Sequence, residues 1–101
     1  MKVIINRCFG GFGVTEEVYN ELGIKWDGYG FLNNESLNIV SDNYHQYRQD
    51  KRLIDAVEKI GVSLSSSSMA QLEIVEIPDD MDFYIHEYDG TESIHESHRS
   101  W

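Results

Sequence analysis

Residues 71–94 constrain the fold more tightly than any other stretch. Residues 71–77 (QLEIVEI) place apolar side chains on both faces, the pattern of an interior strand, and Pro78-Asp79-Asp80 ends the run with turn chemistry. Met81, Phe83 and Ile85 then alternate with Asp82, Tyr84 and His86, so a strand over residues 81–88 buries one face. The two strands are expected to pair with each other. Asp89-Gly90, after Tyr88, is a tight hairpin signal leading toward Glu92-Ser93-Ile94. Beyond it the pattern is open between strand and helix, because Ile94, His98 and Trp101 also fit helical spacing.

The other end of the chain opens on a short β-branched run, Lys2–Asn6 (KVIIN), which leads into the glycine cluster Cys8-Phe9-Gly10-Gly11-Phe12-Gly13. A strand therefore feeds a loop. Thr15 suits an N-cap, Glu16 and Glu17 favour the first turn, and Val14 with Tyr19 fits a hydrophobic staple, so Glu16–Leu22 reads as a short helix with Val18 and Leu22 inward. Gly23 stops it. Residues 24–49 scatter Trp26, Tyr29, Phe31, Tyr44 and Tyr47 among Gly, Asn, Asp and Ser without a period, which predicts long loops or weak strands. Lys51–Ile60 is the clearest helix: Asp50 caps it, Leu53, Ile54, Val57 and Ile60 keep helical spacing, and Gly61 ends it. Residues 63–68 (SLSSSS) read as a mobile polar connection.

These 101 residues, 11.7 kDa, make one domain, residues 1–101. With 41% hydrophobic and 26% charged residues, neither wholesale disorder nor membrane spanning fits. The expected architecture is α+β, a mainly antiparallel sheet of Lys2–Asn6, residues 71–77 and residues 81–88 with both helices packed on one face. A chain of this size buries a modest core, so a homo-oligomer is expected as extra stabilisation. One cysteine, Cys8, and no secretory leader point to a cytoplasmic protein. Eighteen acids against eight Lys and Arg give a net charge of −10, which argues against nucleic acid as a partner. From Glu73 to the end there are nine acids and one base, Arg99.

Few residues here carry chemistry. The Gly10–Gly13 loop lies between a strand and a helix, where backbone N–H groups receive anions, although it matches neither the dinucleotide-binding glycine pattern nor a Walker loop. Arg7 beside it could pair with phosphate, and Phe9 and Phe12 could stack on a base. The alternative is a tight turn whose Phe rings fill the core. His95-x-x-His98, with Glu92 and Glu96, has two imidazoles at helical spacing but fits no strong zinc motif, so neither metal nor cofactor is assigned. His95 and Arg99 would share a helical face and offer donors to a phosphate; Arg99 paired with a nearby carboxylate is the competing reading. No histidine is placed beside Cys8, and Asp79-Asp80 belongs to a turn, so no catalytic residues are assigned and no enzyme is expected.

Lys2-Val-Ile-Ile-Asn-Arg-Cys-Phe-Gly-Gly-Phe-Gly13 at one end, and Val75-Glu-Ile-Pro-Asp-Asp80, Glu87-Tyr-Asp-Gly90 and His98-Arg-Ser-Trp101 at the other, resemble a family of small phage- and prophage-encoded proteins. Leu53-Ile54, Val57-Glu58 and Ile60-Gly61 match that family's middle helix, and residues 24–49 stay unmatched. The overall pattern is similar to the first type of Thoeris anti-defence protein, a sponge for cyclic ADP-ribose-type signals and, in some members, cyclic oligonucleotides. This chain is short and strongly acidic by comparison. The resemblance implies a phage-derived oligomer in the cytoplasm of an infected or lysogenic bacterium that sequesters a small nucleotide signal without cleaving it. Arg7, Phe9, Gly11, Phe12 and Arg99, with His95 and His98, are the expected ligand residues. The alternative partner is a host defence nuclease, whose basic groove the acidic third would occupy as a nucleic-acid mimic.

Overall fold

The computed structural model describes residues 1–80 and 82–96. In chain order these form β1 (Lys2–Asn6), α1 (Glu16–Leu22), α2 (Lys51–Ile60), α3 (Val62–Ser65), β2 (Leu72–Glu76), β3 (Phe83–Tyr88) and β4 (Thr91–Glu96), with two single 3₁₀ turns, Glu35–Leu37 and Gln46–Gln49, between α1 and α2. The fold is α+β, and both strand pairs are antiparallel.

The expected single sheet is replaced by two. β1 pairs with β2 in the register Ile4↔Ile74, while β3 pairs with β4 in the register Ile85↔Ile94; β2 and β3 share no ladder. The both-sided apolar pattern of residues 71–77 has its cause in layering. Ile4, Leu72 and Ile74 on one face of β1–β2 pack with Val18, Leu53 and Val57 of α1 and α2. Val3, Ile5, Val75 and Ile77 on the other face pack with Phe83, Ile85 and Ile94 of the β3–β4 hairpin. Side chains alternate along a strand, so a two-stranded sheet between two covers is apolar on both sides without further strands. Val3, Ile4 and Ile5 are all fully buried, each stabilising the fold by roughly 1.5–3 kcal/mol relative to exposure.

Both predicted helices keep their predicted bounds. Asp50 caps α2 through Oδ1, which accepts from Arg52 N at 2.9 Å. Thr15 caps α1 by position alone: its hydroxyl instead donates to Leu64 O at 2.8 Å. Gly23 ends α1 in the left-handed region at φ 72°, sending its N–H to Asn20 O. Residues 24–49 are loops with the two 3₁₀ turns, anchored in the core by Leu32, Leu37 and Tyr47.

The serine segment is a correction. Residues 62–65 form α3, Ser65 is fully buried, and Ser66 bridges Val14. Ser65 O accepts from Thr15 N at 3.0 Å, and Ser66 Oγ accepts from Leu72 N at 2.9 Å. Small side chains let this turn pass close to Gly13, whose absent Cβ would lie 2.5 Å from Ser67 Oγ. Ser66 alone of the run ties its hydroxyl to backbone, donating to Val62 O at 2.6 Å, and close packing takes the place of the expected mobility.

Candidate functional site

The most heavily bonded place in the molecule lies where β1, the second 3₁₀ turn and β4 meet. The Arg48 guanidinium, 3% exposed, forms a bidentate pair with Glu92, with Nη1 to Oε1 at 2.6 Å and Nη2 to Oε2 at 2.8 Å. Glu92 Oε1 also accepts from Asn6 N at 2.8 Å, and Arg48 Nη1 reaches Ile4 O at 3.3 Å. Asn6 is fully buried and uses both ends of its amide: Nδ2 donates to Cys8 O and Gly90 O, while Oδ1 accepts from Cys8 N and Gln71 N. The guanidinium stacks over the Phe12 ring, 3.6 Å from its centroid, with Tyr47 at 5.0 Å. Burial pushes the Arg48 pKa down, and the Glu92 carboxylate more than reverses it, leaving a permanent cation. This cluster ties the layers together, and its charges face each other rather than solvent.

Around it runs the glycine loop, residues 8–13. Gly90 of the β3–β4 turn sits against it so closely that a Cβ there would lie 2.4 Å from Phe9 O and 2.6 Å from Gly11 N. Gly10 is pressed against Met69, whose carbonyl oxygen would be 1.9 Å from a Cβ. Gly11 has open space around it and is needed for its backbone, at φ 90°. Gly11 N–H closes the Phe9-Gly10 turn toward Cys8 O, and among the described residues no group accepts from the N–H groups of Phe9, Gly10 and Phe12; the neighbouring Cys8 and Val14 amides go to Asn6 Oδ1 and Gly30 O. Gly13 is buried, so the amides of Phe9, Gly10 and Phe12 are the ones left for water or a ligand.

Of the expected ligand residues, Arg7, Phe9, Gly11 and Phe12 come together here by chain continuity. Arg7 Nε bonds Glu73, and Nη1 donates to Glu92 O at 3.1 Å; the side chain stays 43% exposed. Phe9 is 74% exposed, free to stack. Phe12 gives its ring to Arg48, so its stacking capacity is taken within the protein. His95 sits apart on the outer face of the hairpin: Ser93 Oγ meets its Nε2 at 2.9 Å, and its ring stacks on Tyr84 at 5.5 Å. Four residues of extended strand, roughly 13 Å, separate it from the turn that meets the loop. It lies in a strand, so the helical geometry expected for His95-x-x-His98 does not hold at its first member. His98 and Arg99 lie outside the described residues.

Sequence reasoning missed Arg48 and Asn6. Arg48 stands in the unpatterned stretch, and its one signal is a cation between aromatics, Tyr47 before it in sequence and Phe12 across space. Glu92 was grouped with possible metal ligands; it is instead the buried partner of Arg48. Of the nine acids after residue 72, Glu73, Glu76, Asp79, Asp80, Asp82, Glu87 and Asp89 are exposed, so the acidic third presents its charge outward. No group of three or more metal-ligating side chains occurs among the described residues, nor any helix long and apolar enough to cross a membrane.

The structure thus defines the class, an α+β domain with a glycine loop held against a hairpin turn. Comparison with protein-family models, with curated proteins and with solved structures returns no match.

Proposed function

We propose that the protein binds a small anionic nucleotide at the glycine loop and sequesters it unchanged, in the manner of the anti-defence sponges to which its overall pattern is similar. The observation that carries this reading is the uncommitted backbone N–H groups of Phe9, Gly10 and Phe12, beside half-exposed Arg7 and the exposed Phe9 ring. Backbone amides and a guanidinium suit phosphate oxygens, and an exposed phenyl ring suits a base. Phe12 contributes its amide rather than its ring. Arg99, with His95 and His98 as weaker members, is carried over from the sequence reading; His95 sits apart from the loop, and His98 and Arg99 lie outside the described residues. A homo-oligomer in the bacterial cytoplasm belongs to the same proposal.

Native mass spectrometry of the full chain with cyclic ADP-ribose isomers and cyclic di- and trinucleotides tests it, reading stoichiometry and ligand mass together. The expected result is a stoichiometric adduct of unaltered mass, recovered intact after heat denaturation, with affinity falling roughly tenfold or more in Arg7→Ala. A ligand returned altered in mass would make the protein an enzyme. An empty protein across the panel would favour the acidic inhibitor of a defence nuclease, a reading to which the outward-facing carboxylates lend support.

A further inference from the structure

The outer face of the β3–β4 hairpin carries a cluster that the glycine loop does not use. Strand pairing sets Tyr84 opposite His95 and His86 opposite Ser93. Side chains two apart along a strand share a face, and so do cross-strand partners, so these four residues form a square on one side of the ladder. In sequence the imidazole nearest His95 is His98, at helical spacing; the strand gives it His86 instead, diagonally across the ladder.

The His86 and His95 ring centroids are 5.5 Å apart, with planes at 68°. Two imidazole nitrogens bound to one tetrahedral ion at about 2.0–2.1 Å hold their ring centroids roughly 5 Å apart. A small turn of an exposed ring closes the difference. His95 is already held as a metal ligand is held. Tyr84 stacks on it at 5.5 Å with planes 18° apart, and Ser93 Oγ lies 2.9 Å from its Nε2. With Nε2–H donating to that hydroxyl, the lone pair belongs to Nδ1; an outer hydrogen bond of this kind is what fixes tautomer and ring orientation in imidazole–metal sites. His86 is exposed and gives its ring no hydrogen bond among the described residues, so a ring nitrogen is at liberty to turn toward an ion.

We propose that His86 and His95 together bind one divalent transition-metal ion of the zinc or copper kind, its remaining positions open to water or a further ligand. Imidazole nitrogen selects such ions over magnesium and calcium, which take oxygen ligands. A net charge of −10 gathers cations of every kind around the molecule, and the paired imidazoles decide which one stays. Ser93 is a positioning residue, acting through His95. The bound ion ties β3 to β4 across the ladder and so stabilises the folded chain. The site does not depend on the nucleotide reading and stands whether or not the glycine loop binds a nucleotide.

The test is a two-dimensional amide NMR titration of the full chain, stripped with EDTA and dialysed, with zinc chloride and with magnesium chloride as control. The expected result is one saturable set of shifts centred on His86, Ser93 and His95, reversed by EDTA, and a urea midpoint raised by zinc. His86→Ala and His95→Ala should each weaken zinc at least tenfold and remove the rise in midpoint. His86→Gln repeats the first substitution with a polar side chain, and the zinc-free spectrum of each variant away from the hairpin should match the parent. Ser93→Ala keeps both imidazoles and should weaken zinc roughly tenfold. Copper should act on the same residues and bind more tightly than zinc. Equal shifts with magnesium would reduce the site to ion condensation on the acidic surface. Zinc binding that survives both histidine substitutions would overturn the assignment by placing the metal elsewhere, and absence of any saturable shift would remove the site.

Discussion

At the scale of single residues, Arg48 and Glu92 decide how the molecule responds to change. Each is at most 5% exposed as a side chain, and removing one leaves the other charged in the interior. Glu92→Ala is expected to cost about 3–5 kcal/mol, a large fraction of the ~5–15 kcal/mol available to a domain, read as a lowered urea midpoint. Replacing both by apolar residues of similar volume should recover much of that loss, because no unpaired charge remains. His45 supplies a pH signature. Burial, seconded by Arg48, lowers its folded pKa, so its contribution to stability is complete above the unfolded value of about 6.5 and declines as pH falls through that value toward the folded one. An NMR titration should place its midpoint below about 6.5, and His45→Gln should flatten that part of the stability profile. A midpoint at or above the peptide value would contradict the burial argument.

At the scale of elements, tight backbone approach matters more than it does in a conventional loop. Gly23→Ala meets nothing within 4 Å and faces only the left-handed backbone, so about 1 kcal/mol is expected. Gly90→Ala combines φ 89° with a carbonyl oxygen 2.4 Å from the new Cβ, and should cost clearly more in the same denaturation assay. Equal losses would mean that the hairpin turn and the glycine loop do not touch. The two helices were legible in the sequence, since capping residues and an i, i+3, i+4 pattern are local signals that tertiary packing did not override. The Asp89-Gly90 hairpin was legible for the same reason. Strand pairing was not: residues 71–77 show how many faces are covered, and by what is a matter of distant partners. Polar residues of the serine run read as linker because composition carries no record of the Ser66 hydroxyl bonded to Val62 O and Leu72 N, or of Ser65 packed into the interior. The glycine loop was found, but its nearest buried cation was not, since Arg48 sits among residues with no period at all.

At the scale of the whole molecule, charge and topology set the behaviour. A net −10 spread over a surface of 6455 Å² repels itself, and the acidic third faces outward. Raising sodium chloride from about 0.02 M to about 0.2 M should therefore move the urea midpoint upward by screening that repulsion. A fall would show that exposed ion pairs such as Lys2–Glu58 and Lys59–Glu21 outweigh it. The bond from Asn6 to Glu92 has a different kind of consequence, for a chain made one residue at a time. β1 is synthesised first, yet its strand partner, its second cover and the counter-charge for Arg48 all follow residue 71. α1 and α2 can cover Ile4 as soon as they are made, but Val3 and Ile5 have neither strand partner nor cover until the last third of the chain exists, so this layer closes only at the end of synthesis.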